Sequence, residues 1–286
     1  MTLELVPARS EHVSELGRIC YEAFKDISDR HHFPSDFQSA AMGRMIIGML
    51  TAREDNYGVA AMMDGQPAGS NFLLVSDEVG GLGPITVEVS MQGHGIGRAL
   101  MQNVIDHAKE TGVERVRLLQ DSFNMTSLSL YASLGFDTKH PVALMQPVPN
   151  EQPDESVRPV AEGDLDAIEE LSRRIYKVSR RNEVGSSING PFRSFLRERS
   201  GRVVGYFSLG IAGHGVAETE DDMLALVRAA ARQMPADFHR VLCPLTEGSL
   251  YRRFLASGFR NVKVMNLMAV GPYEDPEGVW VPSVLY

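Results

Sequence analysis

Gln92-Gly93-His94-Gly95-Ile96-Gly97 constrains this chain more than any other stretch. Before it, Pro84-Ile85-Thr86-Val87-Glu88-Val89 alternates β-branched residues with others, which predicts a strand. After it, Ile96, Leu100, Met101, Val104, Ile105 and Ala108 fall on one helical face, and Gly112 supplies a stop. A strand, a glycine-rich turn and a helix N-terminus together make a place for a bound phosphate. Glycines let the backbone come close to a ligand, and the unpaired N–H groups of the first helical turn point at the anion. The expected ligand is therefore a phosphorylated cofactor. A Walker loop does not fit, because no Gly-Lys-Ser/Thr follows; a dinucleotide fingerprint would need a βαβ unit with an acidic residue about twenty residues further on.

Downstream come a strand, Arg115-Val116-Arg117-Leu118-Leu119, then Asn124, then a helix ending in Leu130-Tyr131-Ala132-Ser133-Leu134-Gly135-Phe136. With these residues the chain resembles the GNAT superfamily of N-acetyltransferases. That family's pattern is Gln/Arg-x-x-Gly-x-Gly/Ala, an Asn on the next loop and a Leu-Tyr-x-x-Leu-Gly-Phe helix. The resemblance implies an α/β fold of GNAT-like domains, each a mixed, mainly antiparallel sheet flanked by helices. It implies acetyl-CoA as co-substrate, its pyrophosphate held at Gln92, Gly93, His94, Gly95, Ile96 and Gly97, with Arg98 opening the helix. Backbone groups of Val87 and Val89, on a splayed strand, would meet the pantetheine amides and the acetyl oxygen, and Asn124 the pantetheine arm. Tyr131 is the expected acid for the departing thiolate. His94 stands where the family accepts almost any residue and reads as solvent-facing.

An amine acceptor arrives as an ammonium ion and must lose a proton. Asp77, Glu78 and Glu88 are the acidic residues on or near the central strand, and Glu88 is the candidate base, with water as the alternative. In some tandem acetyltransferases the C-terminal carboxylate takes that part, which directs attention to Leu285-Tyr286. His31 and Phe33 lie between the first two helices, where the family builds its acceptor pocket, and are the candidate substrate contacts. No ligand set has metal spacing, so no metal is expected. Met42, Met45, Met49, Met62 and Met63 read as core filler.

The chain appears twice over, as copies of one pattern. Leu3–Arg9 leading into Ser10-Glu11-His12-Val13 is matched by Ser156–Val160 leading into Asp164-Leu165-Asp166-Ala167-Ile168. Leu130–Phe136 is matched by Arg253-Phe254-Leu255-Ala256-Ser257-Gly258-Phe259, and Arg115-Val116 by Arg240-Val241. This predicts a catalytic domain over residues 1–147, a proline-rich linker over 148–155 and a degenerate GNAT-like domain over 156–286. Phe254 replaces Tyr131, and Ala217-Glu218-Thr219-Glu220-Asp221-Asp222 falls where the glycine run would be, its carboxylates repelling a pyrophosphate. A rival register sets Gly213-His214-Gly215 against Gly93-His94-Gly95.

At 286 residues the chain has room for two modest domains, and its net charge of −9 disfavours nucleic acid and anionic membranes. Cys20 and Cys243 imply no disulfide framework. With no signal-peptide pattern and no apolar run of ~20 residues, a cytoplasmic enzyme is expected. The expected activity is acetyl transfer from acetyl-CoA to a primary amine on a small molecule, with a homodimer possible through edge strands. Rival readings are a non-catalytic acyl-CoA sensor, which would not need the Tyr131 phenol, and a protein or peptide N-acetyltransferase, which wants an open acidic groove.

Overall fold

The computed structural model describes residues 2–190, 192–209, 213–235 and 239–285. Its contacts divide them into two compact units. Unit 1 holds the residues up to Leu118, Phe123–Asp137 and Leu285; unit 2 holds Leu119–Ser122 and Thr138–Val284. The division falls at Asp137, ahead of the proline-rich stretch that begins at Pro147.

Unit 1 runs β1 (Leu3–Pro7), α1 (Val13–His31), α2 (Ala40–Ala52), β2 (Asn56–Met63), β3 (Gln66–Leu74), β4 (Gly80–Leu82), β5 (Thr86–Val87), α3 (Ile96–Glu110), β6 (Val116–Asp121) and α4 (Met125–Ser133). Strands β1, β2, β3 and β4 are antiparallel neighbours, β5 adds to β3, and β4 pairs in parallel with β6. One face is covered by α1 and α2, whose Leu16, Ile19, Cys20, Ile46, Ile47 and Leu50 form a core with Ala60 and Phe72. Burying each leucine, isoleucine or phenylalanine of that core contributes about 1.5–3 kcal/mol. On α3 the buried residues are the six that its helical period predicts, Ile96 through Ala108. Ser39 starts α2 by accepting the Met42 N–H at 3.2 Å, and Gly112, at φ 76°, follows the end of α3.

The strand expected over Pro84–Val89 is cut to Thr86–Val87, because Pro84 has no N–H to give and Val89–Met91 coils into a 3₁₀ turn. Of the expected core methionines, Met42 and Met62 pack on the core, whereas Met45 and Met49 are 42% and 37% exposed. The inward face of α2 is taken by Gly43, Ile46, Ile47 and Leu50.

Unit 2 continues with β7 (Asp137–Gln146), β8 (Val157–Pro159), α5 (Leu165–Tyr176), α6 (Arg181–Ser187), β9 (Ser194–Arg199), β10 (Arg202–Ser208), β11 (His214–Ala217), α7 (Glu220–Ala231), β12 (Val241–Pro244), α8 (Gly248–Ala256), β13 (Arg260–Val270) and β14 (Val279–Val281). One sheet has the order β14-β11-β10-β9-β8, and in the other β13 lies beside β7, which pairs with β12. The last residues of β6 also join unit 2: the Ser122 N–H donates to the Val264 carbonyl at 3.1 Å, and Lys263 meets Asp121 at 2.6 Å in a buried ion pair. Among the described residues no helix is long and apolar enough to cross a membrane.

Candidate active site

Geometry in unit 1 begins with a parting of strands. The rungs Gly80↔Val116 and Gly81↔Arg117 join β4 to β6; beyond them, among the described residues, β5 pairs only with β3, through Gly69↔Val87 and Ser70↔Thr86. A wedge therefore opens between β5 and β6, closed at the Gly81 rung. Strands that part leave main-chain N–H and C=O groups in need of partners, which suits an extended, amide-bearing ligand arm.

At the N-terminus of α3 lies the glycine turn. Gly93 and Gly95 take φ 81° and 85°, a region costly for any residue with a Cβ, and a Cβ built on either would meet no atom within 4 Å. Those two bare positions leave a cradle beside the helix N–H groups, which fits a pyrophosphate. Gln92 donates from Nε2 to the Val87 carbonyl at 3.2 Å and so ties the turn to β5. His94 leans back on its own loop, with Nδ1 3.0 Å from the Gln92 carbonyl oxygen; since that oxygen only accepts, Nδ1 carries a proton. Arg98 reaches Ser133 Oγ at 2.8 Å, spanning from α3 to α4. A Cβ built on Gly97 would meet Leu130 at 3.7 Å and Val87 at 3.8 Å, ordinary contacts, so space alone does not require glycine at that position.

Asn124 caps α4, its side-chain oxygen accepting the Ser127 N–H at 3.1 Å. That cap fixes the start of the helix that carries Tyr131. Tyr131 is buried, with its ring 6.3 Å from that of Phe136.

Glu88 points to α1, where Arg18 Nη2 donates to Oε2 at 2.6 Å. The same guanidinium binds Glu15 at 2.6 Å and also Glu22. The hydrogen bonds that Arg18 donates to Glu15 and Glu88 push its pKa far above its ordinary value, and Arg18 in turn holds Glu15 below the usual carboxylate range. Three carboxylates around one cation leave the cluster anionic. Arg18 was not legible as a site residue: a lone arginine on a helix carries no motif. His31 and Phe33 come together on Phe123, the residue before Asn124. Phe33 stacks on it at 4.4 Å and 8°, and His31 tilts against it at 5.3 Å. Asp77 and Glu78 lie in the turn before β4. Tyr286, the other candidate for proton removal, lies outside the described residues. Among the described residues no group of three or more His, Cys, Asp or Glu is placed to hold a metal ion.

The stretch of unit 2 that the expected repeat sets against this site is built differently. The Glu218–Asp222 run links β11 to α7, and Thr219 caps the helix by accepting the Asp222 N–H at 3.2 Å. Gly215, from the rival register, lies within β11. Beside β11, where unit 1 has its wedge, β14 is hydrogen-bonded through Gly215↔Val281, Val216↔Trp280 and Ala217↔Val279. Phe254 is fully buried on α8 and stacks on Phe259 at 4.8 Å, an apolar counterpart of the Tyr131–Phe136 pair.

Residues 13–136 match the model of the acetyltransferase (GNAT) family. They form a GNAT acetyltransferase domain. Similar curated proteins are the mycothiol acetyltransferases of Thermomonospora curvata, 36% identical over 90 residues, and of Kytococcus sedentarius, 32% identical over 108 residues. These matches take in 31% and 34% of this chain, and the chain spans only about a third of those relatives' length, 30% and 36%. Among solved structures, a Pyrococcus horikoshii chain described as a candidate acetyltransferase superposes with a TM-score of 0.78 at 14% identity, covering 99% of this chain and 94% of its own. A GCN5-related N-acetyltransferase of Sphaerobacter thermophilus gives a TM-score of 0.59 at 16% identity, covering 97% and 98%. Identities this low establish the fold, that of the acyl-CoA N-acyltransferases. The GNAT domain covers all of the cofactor-site candidates from Val87 to Asn124, and Tyr131 with them.

Proposed function

We propose that unit 1 transfers the acetyl group of acetyl-CoA to a primary amine on a small molecule, by direct attack while both are bound. The observation that carries this reading is the cradle at Gly93 and Gly95: two left-handed glycines with open space over them, at a helix N-terminus, tied by Gln92 to the wedge-lining strand. The residues fit the cofactor. Gln92 through Arg98 would hold the pyrophosphate, and Val87, Val89 and Asn124 would flank the pantetheine arm. Acetyl-CoA supplies an activated acyl group; the protein supplies position and protons.

Tyr131, carried on the capped helix α4, donates a hydrogen bond to the sulfur as negative charge gathers there. Its acidity does not exceed a thiol's, so its part is to stabilise the transition state, contributing about 10²-fold. Glu88 would have to let go of Arg18 to take a proton. We therefore assign the Glu15, Glu22 and Glu88 group the task of drawing in a cationic amine, and proton loss to water or to Glu88 as it exchanges partners. His31, Phe33 and Phe123 form the apolar side of the acceptor entrance. The similarity to mycothiol acetyltransferases supports a small-molecule amine as acceptor.

Unit 2 we read as a second copy of the fold that binds no cofactor, the duplication running over residues 1–147 and 156–286. Its lost glycines, its acidic helix start and the strand β14 in place of a wedge support that reading.

Thiol release from acetyl-CoA across a panel of amines, with Tyr131→Phe beside the wild type, tests the activity. Turnover favouring one amine class and about 10²-fold slower in the variant is expected. Background release with every amine and with peptides refutes it, and leaves acyl-CoA binding without transfer. Calorimetry with CoA should find one site per chain.

A further inference from the structure

We propose that Leu285, through its main chain, is a wall of the acceptor site in unit 1 and sets which amines fit, an inference that rests on the acetyltransferase reading above. Gly81 is the starting point. A Cβ built on it would lie 1.8 Å from the Leu285 carbonyl oxygen, 2.5 Å from its carbonyl carbon and 3.0 Å from its Cα. The main chain of Leu285 thus rests directly on the strand, at a distance no side chain at 81 allows. Gly81 is not in the left-handed region, so a glycine is needed there for space alone.

The place matters because Gly81↔Arg117 is the rung at which the wedge closes. A cofactor whose pyrophosphate lies at Gly93–Gly97 runs its arm into the wedge toward that rung. One face of the sheet is occupied by α3; the acceptor must come from the other, the face of α1 and α2. Leu285 stands on that face: its side chain packs with the core formed by Leu16, Ile19, Cys20, Ile46, Ile47 and Phe72. Arg117, on the same rung, is also fully buried. The end of the wedge nearest the acceptor is therefore roofed by the main chain of Leu285, a residue far away in sequence. A roof of main chain cannot change rotamer, so it sets a fixed limit on the acceptor's bulk.

Two variants and one label test this. Gly81→Ala places a methyl where the Leu285 carbonyl lies and must displace Leu285; Leu285→Ala keeps the main chain but removes its apolar anchor. Both should raise KM for the preferred amine about tenfold, leave KM for acetyl-CoA within about twofold, and admit bulkier amines. The label is a cysteine at 285: Leu285→Cys should react with iodoacetamide at least tenfold faster when Gly81→Ala is also present. Cys20 and Cys243 give little background, since both are buried and burial pushes their thiols up, that of Cys243 to about 12. Unchanged amine KM and amine preference in both variants overturns the wall, as does equal labelling with and without Gly81→Ala. If the wild type itself turns over no amine, the acetyltransferase reading fails first, and the wall falls with it.

Discussion

Substituting Gly95 by alanine separates what the glycine turn does for the fold from what it does for a ligand. Gly95 sits at φ 85° with nothing within 4 Å of a built Cβ. Gly65 is its twin: φ 80°, again with nothing within 4 Å, in the Asp64-Gly65 turn that joins β2 to β3. An alanine forced into the left-handed region costs roughly 1–2 kcal/mol, with no steric term to add at either position. Each variant should therefore lose the same stability, a fall in Tm of roughly 2–8 °C for a protein of this size. The difference lies in the ligand. At 95 the new methyl occupies the space proposed for the pyrophosphate, and displacing that contact should weaken CoA at least tenfold, or about 1.4 kcal/mol. At 65 it meets only solvent. Scanning fluorimetry gives the first quantity and calorimetric titration with CoA the second. Equal CoA affinity in the two variants would falsify the cradle, however large the shared loss of Tm.

Three further outcomes follow from other parts of the structure. Gly69→Ala should push β5 off β3, because a Cβ there would lie 2.4 Å from the Thr86 carbonyl oxygen and 3.2 Å from Val87 Cα. A urea midpoint lower by the equivalent of about 1–3 kcal/mol together with weaker CoA binding is expected, and an unshifted CoA affinity would show that Val87's position is immaterial. Lys263→Met leaves Asp121 charged and buried without that partner, so unfolding should become easier by about 3–5 kcal/mol, most of it recovered when Asp121→Leu is added; no recovery would rule out the ion pair as the cause. In unit 2, the hydrogen bond from Arg202, helped by Arg174, lowers the Glu218 pKa from its ordinary 4.5 to about 2. A folded-state pKa below the unfolded one gives stability that is present above pH 4.5 and lost as pH falls toward 2, so Glu218→Gln should flatten the acid limb of the stability profile in that window. An unchanged acid limb would mean that the pair contributes nothing there.

The parts of this molecule that were legible in the sequence are those where local chemistry decides. The α3 face needs six apolar residues at helical spacing, and all six are buried. The glycines at 93 and 95 are there because the backbone turns left-handed, and a left-handed turn at a helix start is written as glycine. What was not legible depends on distance along the chain. Arg18 meets Glu88 across 70 residues, Phe123 meets His31 and Phe33 from another loop, and Leu285 meets Gly81 from the far end. No local period announces such meetings. The overlong strand at Pro84–Val89 failed for a local reason: its alternation was sound, but Pro84 cannot join a ladder and the chain coils at Val89 to enter the glycine turn.

On the proposed reading of unit 2 as a second copy, the contrast between the two units bears on what a site on this fold costs to keep. Parted strands are inherently unfavourable, because each leaves main-chain groups without a ladder. Among the described residues of unit 1 no rung bridges β5 and β6, and the proposed cofactor arm is what would complete those hydrogen bonds. Unit 2 meets the same demand from its own chain: β14 lies along β11 for three rungs and buries Trp280 completely. Once a strand is seated there, an amide-bearing arm has no backbone left to read, and the pressure to keep a phosphate cradle at the next helix disappears. The acidic start of α7 is then the ordinary choice for a helix, since carboxylates favour the positive end of the helix dipole. If unit 2 is a second copy, as proposed, its missing glycines follow from the filled gap. Opening the gap with Trp280→Gly should therefore cost stability without creating a CoA site, and the stoichiometry should stay at one per chain.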